Sequence, residues 1–303
     1  MKYLLLHIYL CALMATNIYT QQNTTNKISC EYFTKKHEMI SEVFLPGIIS
    51  TDQFEFGITF SPDGKEIYFT RRPDYEGSEN RIYYTKFIND KWTVPKAASF
   101  SESCFEFLPV ISPDGKKIFF YSEREGANKN NFDGDLWYCD KTSDGWSDAN
   151  FFEHPSNRKF IMKISVSKNG NIYFAGLFNK KRGIFVSSFI NGKYTEPIPL
   201  PEFINELAPA HPFVSPDESY LIFDAQITGR GKSELFICFR QANESWTKPI
   251  NMGPEINKTK TEFAAVVSPD GNYLFFHRRA SNNGDIYWVS TNIIYELKPG
   301  DLK

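Results

Sequence analysis

Residues 56–69 read FGITF-SPDG-KEIYF, and this stretch decides the fold. Alternating apolar residues on both sides of the tetrapeptide predict two β-strands. Pro62 presets φ for a tight turn, and Gly64 tolerates the positive φ with which such a turn ends. The stretch therefore predicts a β-hairpin.

The hairpin recurs along the chain. Its copies begin at five serines, Ser61, Ser112, Ser167, Ser215 and Ser268. The steps between them are 51, 55, 48 and 53 residues. The third copy reads SKNG and the fourth SPDE, so we expect distorted turns there. Each copy precedes a further apolar strand, and four copies end in a phrase built around Trp or Tyr. A period near 50 residues with four strands per unit is typical of a β-propeller blade.

These units resemble the Pro-Asp type of WD40-like β-propeller repeat (PD40), which is found in the propeller of TolB and in many exported bacterial proteins. The SPDG turn, the Ile-Tyr-Phe and Asp-Ile-Tyr strands and the Trp-Thr-x-Pro phrase carry the resemblance over roughly residues 43–290. It implies an all-β fold and a non-catalytic binding or scaffold role in the bacterial envelope. The motifs are specific for architecture only, because one fold hosts many functions.

We predict one propeller domain over residues 41–303. Its five repeats span residues 55–98, 106–152, 160–199, 209–251 and 262–290. The fifth repeat lacks a closing phrase, and Val43–Ile49 is placed to supply its outer strand. That strand would close the ring and remove a sheet edge. Six blades are the alternative, but the termini leave too little chain for a blade of this period.

The N-terminus is typical of an exported protein. In residues 1–20, Lys2 precedes a short apolar run, which we interpret as a secretory signal. The run is too short to span a bilayer, so no transmembrane segment is expected after cleavage. An uncleaved anchor is the alternative. Residues 21–40 form a polar leader that we expect to be flexible. The sequence thus predicts a periplasmic or secreted location.

Four cysteines remain after such cleavage, namely Cys30, Cys104, Cys139 and Cys238. Two of them, Cys139 and Cys238, occupy equivalent positions in repeats that are not adjacent, too far apart for disulfide geometry. We therefore expect at most one bridge and predict buried free thiols.

Composition and motifs restrict the function. The formal net charge of −2 gives no electrostatic case for nucleic acid. The chain has neither a Gly-x-Ser-x-Gly elbow nor a His-Glu-x-x-His motif. We expect the turn aspartates to bond their own backbone rather than a metal. The sequence leaves catalysis undecided but favours a monomer without cofactor or metal that binds a protein or glycan partner.

A carbohydrate-active enzyme, either a glycoside hydrolase or a lyase, is the alternative. Glycosidases need two carboxylates that face each other across a cleft. Four glutamates precede first strands and could reach the propeller mouth: Glu55, Glu106, Glu206 and Glu262.

Three of these glutamates recur with an arginine after the second strand. We predict the rim pairs Glu55 with Arg72, Glu106 with Arg124, and Glu262 with Arg279. The third and fourth repeats break this pattern and carry other polar residues at the mouth. These residues are our candidate ligand-binding set: Lys159, Lys181, Arg182, His211, Asp224 and Gln226.

Overall fold

A computed structural model of the chain describes residues 39–73, 79–102, 105–124, 134–155, 161–178, 180–227, 232–279 and 283–303. The proposed signal, most of the leader, Cys30, Cys104 and Lys159 lie outside the described residues. The chain divides into two units after Lys35, and every described residue belongs to the second.

The described residues form 23 strands that follow the sequence repeats. Strand β1 (Glu42–Val43) precedes the first repeat. The first repeat contains β2 (Phe54–Phe60), β3 (Glu66–Arg72), β4 (Arg81–Ile88), β5 (Lys91–Trp92) and β6 (Lys96–Ala97). The second contains β7 (Glu106–Ile111), β8 (Lys117–Ser122), β9 (Asp135–Asp140) and β10 (Asn150–Phe151).

The remaining repeats have the same order of strands. The third contains β11 (Ile161–Val166), β12 (Ile172–Phe178), β13 (Lys181–Ser187), β14 (Phe189–Ile190), β15 (Lys193–Tyr194) and β16 (Ile198–Pro199). The fourth contains β17 (Pro209–Val214), β18 (Tyr220–Ile227), β19 (Lys232–Phe239) and β20 (Ile250–Asn251). The fifth contains β21 (Glu262–Val267), β22 (Tyr273–Arg279) and β23 (Gly284–Ser290). The helices are α1 (Glu202–Asn205), α2 (Asn292–Leu297) and a 3₁₀ turn (Gly300–Leu302).

The second, third and fourth repeats each form one four-stranded antiparallel sheet in chain order. The first and fifth repeats share a nine-stranded sheet, in which the parallel pair Phe54 and Gly284 joins them. The architecture is therefore all-β and propeller-like, as the sequence predicts.

Strand β1 pairs antiparallel with β23 and takes the outer place of the fifth repeat. The Phe44 amide continues the pairing by donating to the carbonyl of Ile286 at 2.8 Å. The Phe44 ring is fully buried and packs against Phe275 and Trp288. The segment around Val43 thus supplies the strand that the fifth repeat lacks in its own sequence.

Polar bonds and apolar clusters link each repeat to the next. In three of these bonds a backbone amide donates to a side chain of the preceding repeat: Leu108 N to Thr70 Oγ1 at 2.9 Å, Val214 N to Ser165 Oγ at 2.9 Å, and Ala264 N to Asp224 Oδ1 at 3.2 Å. The second and third repeats share an apolar cluster that includes Phe119 and Phe174. The fifth repeat returns to the first through His277 Nδ1, which lies 2.7 Å from the Glu55 carbonyl oxygen.

The SPDG turns are built by local hydrogen bonds. Ser61 Oγ donates to Asp63 Oδ1 at 2.5 Å, and the Lys65 amide donates to the same oxygen at 3.1 Å. The glycine has a positive φ in every complete copy, for example +67° at Gly64. These observations confirm the structural interpretation of the turn aspartates.

The third turn is distorted as expected, because the Ser167 amide donates to the carbonyl of Asn171, one residue earlier than the Ser61 amide, which donates to Glu66. The fourth turn keeps the backbone shape of the complete copies, so the distortion expected there is absent. In the fourth repeat, Glu218 takes a φ of +59° in place of glycine. Its carboxylate accepts hydrogen bonds from the Tyr173 hydroxyl at 2.6 Å and the Asn171 amide at 2.7 Å. We attribute the strained backbone to these two bonds, which hold Glu218 against the third repeat.

Two cysteines lie among the described residues. Cys139 and Cys238 are buried free thiols, as predicted. Burial raises the pKa of each thiol to about 12, so both thiols stay protonated and inert at neutral pH.

Candidate functional site

A β-bulge interrupts the first strand of every repeat. In the third repeat it lies between Ile161 and Lys163. In the other four it includes the residue four places before the turn serine, which is Gly57, Leu108, His211 or Ala264. All four have a positive φ, including +44° at His211 and +54° at Ala264. Bulges re-aim side chains and often lie beside functional sites. Among these four residues, His211 of the fourth repeat is the polar one.

A cavity of about 250 Å³ lies at the starts of these first strands. Its lining comes from the first, second, fourth and fifth repeats and comprises Phe54, Phe56, Arg72, Asn80, Phe105, Phe107, Leu108, His211, Thr261, Phe263 and Arg279. Phe56, Phe107 and Phe263 each precede a bulge, and the Phe56 ring centroid lies 6.4 Å and 5.9 Å from the other two. Aromatic walls with a few polar groups are typical of small-ligand sites.

His211 and Asp224 form the polar pair of the fourth repeat. His211 Nδ1 lies 2.9 Å from Asp224 Oδ1, and the side chains are 14% and 5% exposed. The carboxylate places the imidazole proton on Nδ1 in the neutral ring, which leaves Nε2 as an acceptor. Within the described residues Nε2 has no hydrogen-bond partner, and its ring lines the cavity.

Asp224 is held by several hydrogen bonds within the protein. Its oxygens accept bonds from His211, from the Ala264 amide and from Ser233 Oγ. These bonds orient His211 and join the fourth repeat to the fifth. Contact between Asp224 and a ligand stays a prediction.

Lys163 is buried on the first strand of the third repeat, directly after the bulge. Its residue is 5% exposed, and Nζ makes one hydrogen bond, to the Ala265 carbonyl oxygen at 3.3 Å. The pKa of this ammonium is lowered to about 8 by burial, a shift that the negative charge of Asp224 partly offsets. A buried amine with one long hydrogen bond is under-satisfied, which is costly unless it serves a purpose.

His277 is buried between aromatic rings and lies near the basic side chains of the cavity wall. Its ring lies 4.6 Å from Phe54 and 4.4 Å from Phe263 between centroids. The pKa of His277 is lowered to about 3, chiefly by burial and in part by the nearby Arg72, Arg279 and His211. His277 is therefore neutral near pH 7, and the cavity wall carries basic charge beside it.

The structure contains one of the three predicted rim pairs and gives the other two glutamates a different arginine. Glu106 contacts Arg124. Glu55 binds Arg71 Nε at 2.9 Å, not Arg72, and Glu262 binds Arg278 Nε at 3.2 Å, not Arg279.

The reason is strand alternation. Glu55 is directly opposite Arg71, and Glu262 is directly opposite Arg278, so each pair shares a sheet face. The following arginine points to the other face, which puts Arg72 and Arg279 on the cavity wall.

These glutamates tie loops together in the interior. All three are fully buried, and Glu55 also accepts bonds from the Thr51 amide and hydroxyl. Burial raises the pKa of Glu55 despite these bonds. Arg71 extends the tie by donating to the carbonyls of Ile48 and Ile49. A glycosidase pair across an open cleft therefore finds no support in these paired carboxylates; the fourth candidate, Glu206, is exposed.

The other candidate ligand residues lie apart from the cavity lining. Lys181 and Arg182 are exposed at the start of β13, and Gln226 is exposed near the end of β18. Among the predicted ligand residues that the structure describes, His211 alone lines the cavity.

Sequence reasoning missed Lys163, Asn80 and the cavity role of Arg72 and Arg279. Lys163 could have been found by counting four residues back from each turn serine, which aligns it with His211. Placing Arg72 and Arg279 on the cavity wall required the strand register, which the spacing in the sequence does not give. Asn80 carries no repeat signal that we can identify.

No family model matches the sequence, and no curated protein matches it. Several solved structures share its fold. A family 117 glycoside hydrolase from the marine bacterium Zobellia galactanivorans is 13% identical, with a TM-score of 0.53 over 87% of this chain and 99% of that one. A protein described as TolB from Agrobacterium tumefaciens is 16% identical, with a TM-score of 0.51 over 80% and 79%. A thermostable family-43 glycoside hydrolase is 12% identical, with a TM-score of 0.51 over 80% and 90%.

These likenesses support a propeller fold. At such identities they carry the fold alone, and they include a TolB-like protein as well as carbohydrate-active enzymes. In the described part of the chain, no helix is long and apolar enough to cross a membrane.

Proposed function

We propose that this chain is an exported, non-catalytic β-propeller binding module, with its binding site at the cavity on the first strands. The observation that carries the proposal is the cavity itself, which joins phenylalanine walls to Arg72, Arg279 and the oriented ring of His211. Loops and strand ends on a rigid scaffold are where binding groups concentrate.

The proposal includes a ring of five PD40-type blades closed by Val43–Ile49. The turn bonds, the β1–β23 pair and the contact between the fifth and first repeats support it. Export through residues 1–20, a periplasmic or secreted location and a monomeric state belong to the same proposal.

The test is capture of a protein partner from envelope extract, run beside a glycan array. Thr261→Trp fills the cavity from its wall, and Lys248→Trp adds the same bulk at an exposed position. We expect Thr261→Trp to lose whatever the native protein captures and Lys248→Trp to keep it. Equal capture by both folded variants would place the site elsewhere and refute the proposal.

A carbohydrate-active enzyme is the second candidate, and the His211–Asp224 pair favours it. An imidazole oriented by a carboxylate is a common general acid or base. Incubation with a panel of polysaccharides, followed by assays for new reducing ends and unsaturated products, tests this candidate. Product formed by the native protein and lost in His211→Ala, with folding intact, would replace the binding proposal by an enzymatic one.

A further inference from the structure

We propose that the cavity ligand is a small organic acid with a flat apolar body and a hydrogen-bond donor. This inference rests on the proposed function, since it names the class of compound that the same cavity would hold. Three features of the wall carry it, one for each part of the ligand.

The acid group follows from the charges. The charged side chains on the described wall are Arg72 and Arg279, which reach it from neighbouring repeats. Guanidinium groups bind carboxylates with two parallel hydrogen bonds and prefer them to neutral groups.

The flat body follows from the aromatic rings. The guanidinium carbon of Arg72 lies 4.7 Å from the Phe54 ring centroid, so cation and ring form one continuous surface. Rings of the first, second and fifth repeats face the same space. A planar apolar group can pack between such rings by stacking or edge contacts. The volume of about 250 Å³ lies below the usual range for drug-sized ligands, which favours a single small molecule.

The donor follows from Asn80. This residue is 1% exposed and lines the cavity, and its Oδ1 has no hydrogen-bond partner among the described residues. Buried amide oxygens are nearly always paired in folded proteins, so an orphan at a cavity wall indicates an absent donor. A hydroxyl or N–H of the ligand supplies that donor.

The experiment measures binding of a panel of small aromatic acids, each beside its primary amide, by calorimetry and ligand-observed NMR. 4-Hydroxybenzoate carries all three features, 4-hydroxybenzamide lacks the charge, and benzoate lacks the hydroxyl donor. We expect the acid to bind about tenfold more tightly than its amide, and the hydroxy acid more tightly than benzoate.

Variants separate the three features. Arg279→Met should weaken the acid about tenfold and leave the amide unchanged, whereas Lys248→Met, which also removes one positive charge but at an exposed position, should alter neither. Asn80→Ala should remove the preference for 4-hydroxybenzoate over benzoate. Thermal unfolding of each variant confirms that it is folded.

Two results would overturn the inference. If every acid binds no more tightly than its amide, or no panel member binds, the ligand is not of this class. If Arg279→Met and Lys248→Met act alike, the charge on the cavity wall does not select the ligand. Either result leaves the proposed binding function standing as long as Thr261→Trp still abolishes capture of the partner, so the two failures are distinguishable.

Discussion

The fourth and fifth repeats are neighbours that use the same two strand positions differently. In the fifth, Glu262 faces Arg278 and the pair is buried, whereas the fourth has Pro209 opposite Ala225. One residue further on, the fifth repeat places Phe263 opposite His277.

The fourth repeat has a polar pair at that second position. Ala210 stands opposite Asp224, and the adjacent His211 meets it at the cavity. Alternation along a strand therefore decides whether a polar pair holds loops together or serves the cavity. The fourth repeat lacks the buried glutamate–arginine pair and holds its polar pair on the other face of the sheet.

The largest effect should come from removing the outer strand of the fifth repeat. The fourth repeat has its own outer strand, β20, whereas the fifth uses β1 from the segment before the first repeat. Deletion of residues 21–50 removes the fully buried Phe44 and Ile49. Loss of such side chains costs about 2–5 kcal/mol each, so we expect Tm to fall by about 10 °C or more. Deletion of residues 21–38 keeps β1 and should leave the calorimetric transition in place. Equal melting of both truncations would show that β1 does not stabilise the fifth repeat.

The buried ion pair of Glu262 with Arg278 in the fifth repeat should have the next largest effect on stability. Arg278→Met leaves the carboxylate of Glu262 buried and unpaired, which costs about 3–5 kcal/mol of unfolding free energy. Arg279→Met, one residue on, removes a side chain from the cavity wall and should cost about 1 kcal/mol or less. Urea unfolding of the two variants checks the assignment, and the reverse order would restore the pair of Glu262 with Arg279.

The histidine of the fifth repeat should make stability fall with acid. The pKa of His277 is lowered from 6.5 to about 3 on folding, so its contribution is complete above pH 6.5 and is lost as pH falls toward 3. In that window the unfolded chain binds one more proton, and stability falls by about 1.4 kcal/mol per pH unit. His277→Gln should reduce the loss between pH 6.5 and 4.5 by about 2–3 kcal/mol.

Urea unfolding at both pH values measures this difference. His154, whose pKa burial lowers to about 4, adds a similar dependence in both proteins and cancels from the comparison. An unchanged pH slope in the variant would mean that His277 is not held neutral in the folded protein.

The turns should give the smallest effect. Gly271 and Gly115 have φ values of +76° and +71°, where a β-branched residue is strained. A Cβ at Gly115 would lie 2.9 Å from Pro62 Cγ, whereas one at Gly271 meets nothing within 4 Å. We expect Gly271→Val to cost about 1 kcal/mol and Gly115→Val more.

Unfolding measurements on both variants check this order. The turns should affect stability without affecting binding. A folded Gly115→Val protein that captured no partner would show that the turn is functional.

The sequence by itself determined the repeat, the strand order and the turn. These features depend on residues close together in the chain: Pro62 and Gly64 set the turn backbone, and the flanking apolar alternation sets the strands. The N-terminal outer strand was also accessible, since the fifth repeat visibly lacks its own. The recurrence of glutamate and arginine gave the buried pair of Glu106 and Arg124 but the wrong arginine for Glu55 and Glu262.

Only the tertiary structure decided the candidate site. Which of two adjacent arginines meets Glu262 depends on strand register, and register is fixed by pairing with another strand rather than by spacing. The cavity joins residues of four repeats, so Asn80, His211 and Arg279 line one space only when these repeats pack together. The fate of Asp224 has the same cause: the amide that occupies its oxygen belongs to Ala264, 40 residues away in the next repeat.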